Sequence, residues 1–229
     1  MNMNFLFNIH HSWSDKKDRE FIELLEENDK AKIIDLGCGN GDFTLQVKHK
    51  IGSEDIHGAD VWNDDLMISK KRGIEVREMD FNKNFDIPDN FFDVVVSNQV
   101  IEHLWYPIQF LENIHRILKN DGYAVVSTEN LSSWDNVFAL MIGFTPFSLE
   151  FDKYRKLGNP FSPHNDETGT PYPPHTRVFT LKGLIHAFER TGFVVEKIKG
   201  SGYLPFNSIS SIDPNHSRFI TCKIKKRSL

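Results

Sequence analysis

A glycine-rich segment and the carboxylates around it are the residues of this sequence best suited to binding a ligand. Residues 37–41 (GCGNG) follow an apolar run that contains Asp35. Glycines at alternate positions let the backbone approach a ligand closely, because they carry no Cβ. Asp60 and Asp80 end the next two strand-like runs, where carboxylates can reach ribose hydroxyls and an exocyclic amine, respectively. The pattern therefore predicts a nucleoside-binding edge.

The glycine spacing distinguishes this segment from the loop that binds dinucleotides. That fingerprint requires a further glycine at a position occupied here by Asp42. A carboxylate is a poor neighbour for a pyrophosphate, so the segment suits a nucleoside without phosphates better than NAD, and a nucleotide-binding oxidoreductase is disfavoured. For the loop alone, a simple tight turn is the alternative interpretation. The carboxylates at successive strand ends favour ligand binding.

Alternating strands and helices are expected to position these residues. Five short apolar runs, rich in β-branched side chains, alternate with segments of helical periodicity. This alternation predicts an α/β fold with a doubly wound parallel sheet, whose strand ends form a common edge. The predicted strands are 31–36, 55–61, 74–79, 92–97 and 123–127, followed by 193–198 and 218–224, and the main helices are 64–71, 107–118, 132–142 and 181–191.

Less regular regions surround this predicted core. Ser14 and Asp15 are expected to cap an N-terminal helix, and residues 120–122 (NDG) to form a turn before the fifth strand. Residues 157–174 are rich in Pro, Gly, Asn and His, which predicts a long loop. We expect a single domain over 1–229, with an N-terminal helical cap in 1–30 and an insertion that covers the substrate in 130–180.

The composition narrows the class of protein. A chain of 229 residues, 39% hydrophobic and 26% charged, suits one domain with a buried core. Its net charge of −5 disfavours nucleic acid as the main partner. The two cysteines, Cys38 and Cys222, form no CxxC pair, which disfavours a disulfide scaffold or a structural zinc site. No apolar stretch is long enough to span a bilayer, so a cytoplasmic location is expected.

Five segments, in this order and spacing, are very similar to the motifs of class I S-adenosylmethionine-dependent methyltransferases. They are IIDLGCGNGDF (33–43), GADV (58–61), EMDF (78–81), FFDVVVSNQVIEHL (91–104) and ILKNDGYAVVST (117–128). The resemblance implies a Rossmann-like sheet of about seven strands, mostly parallel, with an antiparallel last strand, helices on both faces and an insertion after the fifth strand.

The same resemblance implies S-adenosyl-L-methionine as the cofactor and S-adenosyl-L-homocysteine as the product. By this resemblance the glycine segment surrounds the methionine part, Asp60 holds the ribose, Val61 or Trp62 packs on the adenine, and Asp80 with Phe81 binds the adenine edge. The implied cofactor-binding residues are Asp35, Gly37, Cys38, Gly39, Gly41, Asp60, Val61, Trp62, Asp80, Phe81, Asn98 and Gln99.

His103 is the candidate catalytic base. Methyl transfer from a sulfonium needs no acid for its leaving group, but a hydroxyl acceptor must lose a proton. His103 and Glu102 follow the fourth predicted strand, at the ligand-binding edge; a histidine that only holds the backbone is the alternative. Similar quinone O-methyltransferases carry Glu-x-x-Glu-His here and can bind a divalent metal. Gln99 replaces the first glutamate, and because an amide is a weaker ligand for a hard cation, no metal site is expected.

Residues 172–180 (YPPHTRVFT) resemble, more loosely, a segment of methyltransferases found among bacterial and archaeal surface-glycan genes. This resemblance implies that His175 and Arg177 bind a hydroxyl-rich or phosphorylated acceptor, with Trp134 and Tyr172 as stacking walls. The alternative is structural: Arg177 would pair with an acidic neighbour and His175 would cap a turn.

The function predicted from these features is methyl transfer from S-adenosylmethionine to a small molecule, with a hydroxyl of a sugar or glycan precursor as the expected acceptor. The polar residues 159–170 favour a sugar, whereas the aromatic-rich insertion favours the alternative, a quinone or lipid-like acceptor. A non-catalytic cofactor-binding or partner protein is the alternative from another class. We expect a monomer or homodimer, no nucleic-acid partner and no stable membrane insertion.

Overall fold

The computed structural model describes residues 3–151, 157–162, 173–203, 209–210 and 212–227, and their side chains from Trp13 onward. The strands are β1 Ile33–Leu36, β2 Ile56–Asp60, β3 Glu75–Glu78, β4 Phe92–Asn98, β5 Leu118–Glu129, β6 Phe193–Ser201 and β7 Phe219–Lys226. The helices are α1 Met3–Glu23, α2 Asp42–Ile51, α3 Asn63–Lys71, α4 Pro107–Ile117, α5 Trp134–Met141 and α6 Leu181–Arg190, with short 3-10 turns at Ile101–His103 and Pro214–His216.

The strands form one seven-stranded sheet in the order β3-β2-β1-β4-β5-β7-β6. The pairs from β3 to β5 are parallel, whereas β7 runs antiparallel to both β5 and β6. The predicted doubly wound sheet with an antiparallel last strand is therefore confirmed. The chain winds outward in opposite directions from β1 and β4, which places a topological switch point between their C-terminal ends, where ligands of such folds collect.

Apolar side chains cover both faces of the sheet. β1 is buried at all four positions and β4 is buried along most of its length, as expected for parallel strands covered by helices on both sides. On one face α4 and α6 pack against the sheet, and on the other α1 and α2 do so. This packing holds the carboxyl ends of β1, β2 and β4 in fixed positions relative to one another.

Two predicted local features differ from the structure. α1 begins at Met3 and continues through Ser14 and Asp15, so these residues do not cap it. β5 begins at Leu118 and includes the predicted turn at 120–122. The pairing of β5 with β4 shifts register there, so the extra residues are accommodated as an irregularity within the strand.

Within the described segments, no helix combines the length and the apolar character needed to cross a membrane.

Candidate functional site

The glycine segment lies at the carboxyl end of β1, directly at the switch point. Gly37, Gly39 and Gly41 all have positive φ, at 94°, 49° and 87°. A Cβ on Gly37 would overlap the Val100 side chain, and one on Gly41 would lie 2.7 Å from Ile74 Cδ1. In contrast, a Cβ on Gly39 would meet no atom within 4 Å. The backbone at Gly39 is therefore open to a ligand, while its two flanking glycines are required by conformation and packing.

Cys38 belongs to the same segment, but its side chain faces the sheet. The thiol is buried, and a Cβ on Gly58 of β2 would come within 2.7 Å of Cys38 Sγ. Burial raises the pKa of this thiol, so it remains protonated and unreactive. Cys38 can therefore contribute to a ligand site only through its backbone.

Asp60 connects the end of β2 to the glycine segment. Its Oδ2 accepts a hydrogen bond from the Gly39 amide at 2.9 Å, and its Oδ1 accepts from the amides of Val61 at 2.7 Å and Trp62 at 3.2 Å. The residue is only 6% exposed. This network fixes the loop in place, and Oδ2, which accepts only one of these hydrogen bonds, retains capacity for a further donor such as a ribose hydroxyl.

Two buried oxygen atoms at the ends of β1 and β4 have no hydrogen-bond donor among the described residues. Asp35 accepts from Thr44 Oγ1 at 2.6 Å through Oδ2, while its Oδ1 has none, and the Oδ1 of Asn98 is in the same state. The Asn98 amide nitrogen donates to Asp18 Oδ1 at 2.9 Å. Burial raises the pKa of Asp35 to about 7. A cationic donor placed at this edge would satisfy these acceptors and favour the ionised carboxylate.

The predicted adenine contacts differ in their exposure. Asp80 accepts from the Asn82 amide at 3.0 Å and pairs with Lys83 at 3.2 Å, and the Asn82 hydrogen bond lowers the pKa of Asp80. Val61 is 39% exposed at the site rim and Trp62 is partly buried beside it. The Phe81 side chain instead packs in the core. A contact of Phe81 with a ligand would therefore involve its backbone.

Gln99 has a left-handed backbone conformation, with φ of 59°. Its amide is best oriented with the oxygen accepting from Ser127 Oγ at 3.0 Å and from the Thr128 amide at 3.2 Å. The amide nitrogen then donates to Glu102 Oε1 at 3.3 Å. The Gln99 side chain thus supports Glu102 from behind.

Glu102, His103 and His175 lie together, although 72 residues separate the last two along the chain. One donor atom from each lies within 4.8 Å of the others, and the two imidazole centroids are 4.7 Å apart. The amides of Thr176 and Arg177 both donate to the Glu102 carbonyl, at 2.9 and 3.1 Å, which holds the two segments together. Glu102 is fully buried, and this burial raises its pKa.

Backbone carbonyls determine which ring nitrogen of His103 and of His175 carries the proton. His103 Nδ1 lies 2.6 Å from the Pro173 carbonyl, and His175 Nδ1 lies 3.2 Å from the Ser148 carbonyl. A carbonyl can only accept, so Nδ1 is the protonated nitrogen in each ring and the lone pair of the neutral imidazole is on Nε2. His103 therefore has the tautomer that a base or a ligand acting through Nε2 requires.

The predicted acceptor-binding residues do not all come together. Arg177 is exposed, and its guanidinium lies 5.3 Å from the ring centroid of Trp105. Trp134 instead stacks on His216, with centroids 4.4 Å apart and an interplanar angle of 20°. Tyr172 lies outside the described residues. Trp105, which is 59% exposed, is therefore the aromatic side chain beside Arg177, and sequence reasoning missed it.

Sequence reasoning also missed a buried ion cluster behind His175. Arg218 is 1% exposed and binds Glu129 at 3.1 Å and Asp135 at 2.8 Å. Glu129 Oε2 in turn lies 3.7 Å from His175 Nδ1. Glu129 belongs to β5, Asp135 to α5, and Arg218 directly precedes β7, so no local pattern connects them. The one signal in the sequence was a charged residue, Arg218, at the start of the predicted strand 218–224.

Comparisons with known proteins show which family this chain belongs to. Residues 8–198 match the family model described as a methyltransferase domain. A probable S-adenosylmethionine-dependent methyltransferase of Mycolicibacterium smegmatis is 28% identical over 73% of this chain and 54% of its own length. A ubiquinone biosynthesis O-methyltransferase of Rickettsia prowazekii is 24% identical over 80% of this chain and 75% of its own length. The chain thus spans about half the length of the mycobacterial relative.

Solved structures share the fold. An S-adenosylmethionine-dependent methyltransferase from Mesorhizobium loti superposes with a TM-score of 0.65 at 19% identity, covering 95% of this chain and 100% of its own. At that identity the likeness concerns the fold alone, but the family model covers most of this chain. The chain belongs to the methyltransferase domain family of S-adenosylmethionine-dependent enzymes.

Proposed function

We propose that this chain transfers the methyl group of S-adenosylmethionine to a hydroxyl of a sugar or glycan precursor. The observation that carries the proposal is the cluster of buried Glu102 with His103 and His175, which begins just after the carboxyl end of β4. Exposed Arg177 and Trp105 lie beside this cluster and supply a cation and an aromatic face, which suit a polar or phosphorylated ring.

The residues at the switch point fit the cofactor. The acceptor atoms of Asp35 and Asn98 suit the ammonium group of its methionine part, and the open backbone at Gly39 leaves room for close approach. Asp60 would accept from a ribose hydroxyl through Oδ2 while it holds the loop. When bound, the cofactor supplies an electrophilic methyl group on a sulfonium.

His103 is proposed as the proton acceptor of the reaction. The acceptor oxygen forms a bond to the methyl carbon as the methyl–sulfur bond breaks, and the sulfonium leaves as a neutral thioether. The hydroxyl proton is transferred to Nε2 of His103, since Nδ1 is held by the Pro173 carbonyl. A base of this kind contributes about 10²–10⁴-fold, and positioning of the reactants supplies the rest.

A quinone or other lipid-like acceptor is the second candidate. α5 and the residue after it expose four large apolar side chains: Phe138, Leu140, Met141 and Ile142. The Rickettsia relative is named for ubiquinone biosynthesis. An exposed apolar surface of this kind is compatible with a lipid-like acceptor or its carrier.

Labelled methyl transfer separates these candidates. The purified chain is incubated with methyl-labelled cofactor and either sugar-nucleotide or lipid extracts, and the label is followed by chromatography. We expect label in the sugar-nucleotide fraction; label in the lipid fraction would favour the quinone-type acceptor instead. Binding of S-adenosylhomocysteine without label in either fraction would point to the non-catalytic alternative, and the same assay without enzyme serves as the blank.

Cofactor affinity is expected to depend on pH through Asp35. The pKa of Asp35 is about 7 in the free protein, and a bound ammonium group favours its ionised form, so binding below that pH must expel a proton. Affinity for S-adenosylhomocysteine should therefore rise about tenfold between about pH 6 and about pH 8. Titration calorimetry in buffers of different ionisation enthalpy measures both the affinity and the released proton.

Two variants test whether Asp35 is the group that causes this pH dependence. In Asp35→Asn the affinity should be weak and nearly independent of pH. Asp42→Asn is the matched control, because Asp42 lies at the other end of the glycine segment, at the start of α2, but is exposed and paired with Arg72, which lowers its pKa. An unchanged pH profile in Asp35→Asn would show that another group titrates.

A further inference from the structure

The cluster of Glu102, His103 and His175 has the composition of a metal site. We propose that these three side chains bind one divalent first-row transition metal ion. Two imidazoles and one carboxylate converge within 4.8 Å, which is close enough for one ion to contact all three donors after small side-chain adjustments. Three protein ligands leave coordination positions open for a hydroxyl or water, as in catalytic sites with two histidines and one carboxylate.

The surroundings of the two histidines match what metal-binding histidines require. In each ring Nδ1 is held by a backbone carbonyl, Pro173 for His103 and Ser148 for His175, which leaves the lone pair on Nε2. Such contacts orient ligating imidazoles and raise their basicity. The carboxylate of Glu102 is held in the same way by the Thr128 hydroxyl at 2.8 Å. Each proposed ligand thus has its own supporting hydrogen bond.

The charges around the cluster also favour a cation. Besides Glu102, the carboxylates of Glu129 and Glu150 lie next to His175: Glu129 Oε2 is 3.7 Å from its Nδ1, and Glu150 Oε2 accepts from its backbone amide at 3.2 Å. Arg218 pairs with Glu129 on its far side. A divalent ion would compensate the carboxylate of Glu102, which is fully buried.

The ligand set indicates which metals fit. Imidazole nitrogens suit Zn²⁺, Fe²⁺ and Co²⁺, whereas Mg²⁺ and Ca²⁺ prefer oxygen ligands. Gln99 stands where the Glu-x-x-Glu-His motif has its first glutamate. Its amide contacts Ser127 and Glu102, so it supports Glu102 but is not one of the three proposed ligands. His175, from a distant segment, is the third donor. We therefore expect weak binding of Mg²⁺.

The role of the ion in the reaction, but not its binding, rests on the proposed function. A bound ion would lower the pKa of an acceptor hydroxyl, and His103 would then hold the ion instead of receiving the proton. Without a metal, His103 remains the direct base. Metal binding is measured in the absence of cofactor and acceptor, so its failure and a failure of methyl transfer are observed separately.

The test uses the full chain without an affinity tag, treated with a chelator and then dialysed. Zn²⁺ is titrated by calorimetry, Co²⁺ is followed by its visible absorption, and Mg²⁺ is added as a competitor. We expect one equivalent of Zn²⁺ to bind, a Co²⁺ spectrum typical of nitrogen and oxygen ligands, and no competition by Mg²⁺. His175→Ala and Glu102→Gln should each weaken Zn²⁺ binding by at least about tenfold.

His49→Ala is the matched control, because His49 is an exposed histidine of α2 outside the cluster, and it should bind Zn²⁺ as the wild type does. Circular dichroism verifies that each variant is folded, and the Co²⁺ spectrum of the wild type tests the ligand type even if a variant fails to fold. The proposal is overturned if the wild type binds no Zn²⁺ or Co²⁺, if the Co²⁺ spectrum shows thiolate charge transfer, or if folded His175→Ala and Glu102→Gln bind Zn²⁺ as tightly as the wild type.

Discussion

Replacing His103 by alanine is expected to lower kcat about 100-fold or more while leaving the affinity for S-adenosylhomocysteine nearly unchanged. The reason is geometric: the His103 imidazole lies with Glu102 and His175, whereas the residues proposed to hold the cofactor are Asp35, Asp60 and Asn98. The variant would remove the proposed proton acceptor but leave the proposed cofactor-binding residues intact. Steady-state kinetics with the identified acceptor and calorimetry with the product measure the two effects.

The controls for this prediction distinguish a base from a structural residue. His186→Ala replaces an exposed histidine of α6 and should retain wild-type kcat. If His103 handles the proton, activity of the alanine variant should rise with pH as the acceptor hydroxyl ionises, and added imidazole should restore part of the rate. Wild-type kcat in His103→Ala would assign the residue a structural role, through its hydrogen bond to Pro173.

Replacing Arg218 by methionine is expected to destabilise the fold by about 3–5 kcal/mol. Arg218 is 1% exposed and is the cation between the buried carboxylate of Glu129 and the partly buried carboxylate of Asp135. Methionine fills similar space but leaves these two carboxylates without their counter-ion, which is the costly way to break a buried ion cluster. Urea unfolding near pH 7 measures the loss of unfolding free energy.

Two comparison variants test whether a loss of stability in Arg218→Met comes from uncompensated buried charge. Lys199→Met removes an ion pair with Glu23 whose side chains are 34% and 62% exposed, and it should cost no more than about 1 kcal/mol. Combining Arg218→Met with Glu129→Gln and Asp135→Asn should recover much of the loss, because no uncompensated charge remains. A loss below about 1 kcal/mol in Arg218→Met alone would contradict the electrostatic role assigned to the cluster.

Local patterns predicted the sheet well. Five of the seven predicted strands, such as 92–97 (FDVVVS), have both ends within two residues of an observed strand, whereas β5 begins five residues before the predicted 123 and β6 ends three residues after the predicted 198. The backbone conformation of the glycine segment was equally predictable from the sequence, because glycine readily adopts the positive φ values observed at Gly37, Gly39 and Gly41. Such features are determined by neighbouring residues, whose influence is contained in a short window of sequence.

Local patterns were less reliable where packing overrides them. Ser14 and Asp15 are good capping residues, yet α1 passes through them. The NDG sequence at 120–122 is a strong turn signal, yet it forms an irregularity inside β5. In both places the local conformational preference contributes a free energy of roughly 1 kcal/mol or less. The packing of the surrounding helices and strands outweighs this contribution.

The sequence by itself determined the fold class, the family and the residues at the ends of β1, β2 and β4. The tertiary structure alone decided which distant side chains meet: His175 joins Glu102 and His103, Trp105 rather than Trp134 accompanies Arg177, and Arg218 is the counter-ion of Glu129. Contacts of this kind depend on how α5, the segment 173–180 and β7 pack against the sheet. That packing is the sum of many weak apolar contacts spread over the whole chain, so no motif of a few residues encodes it.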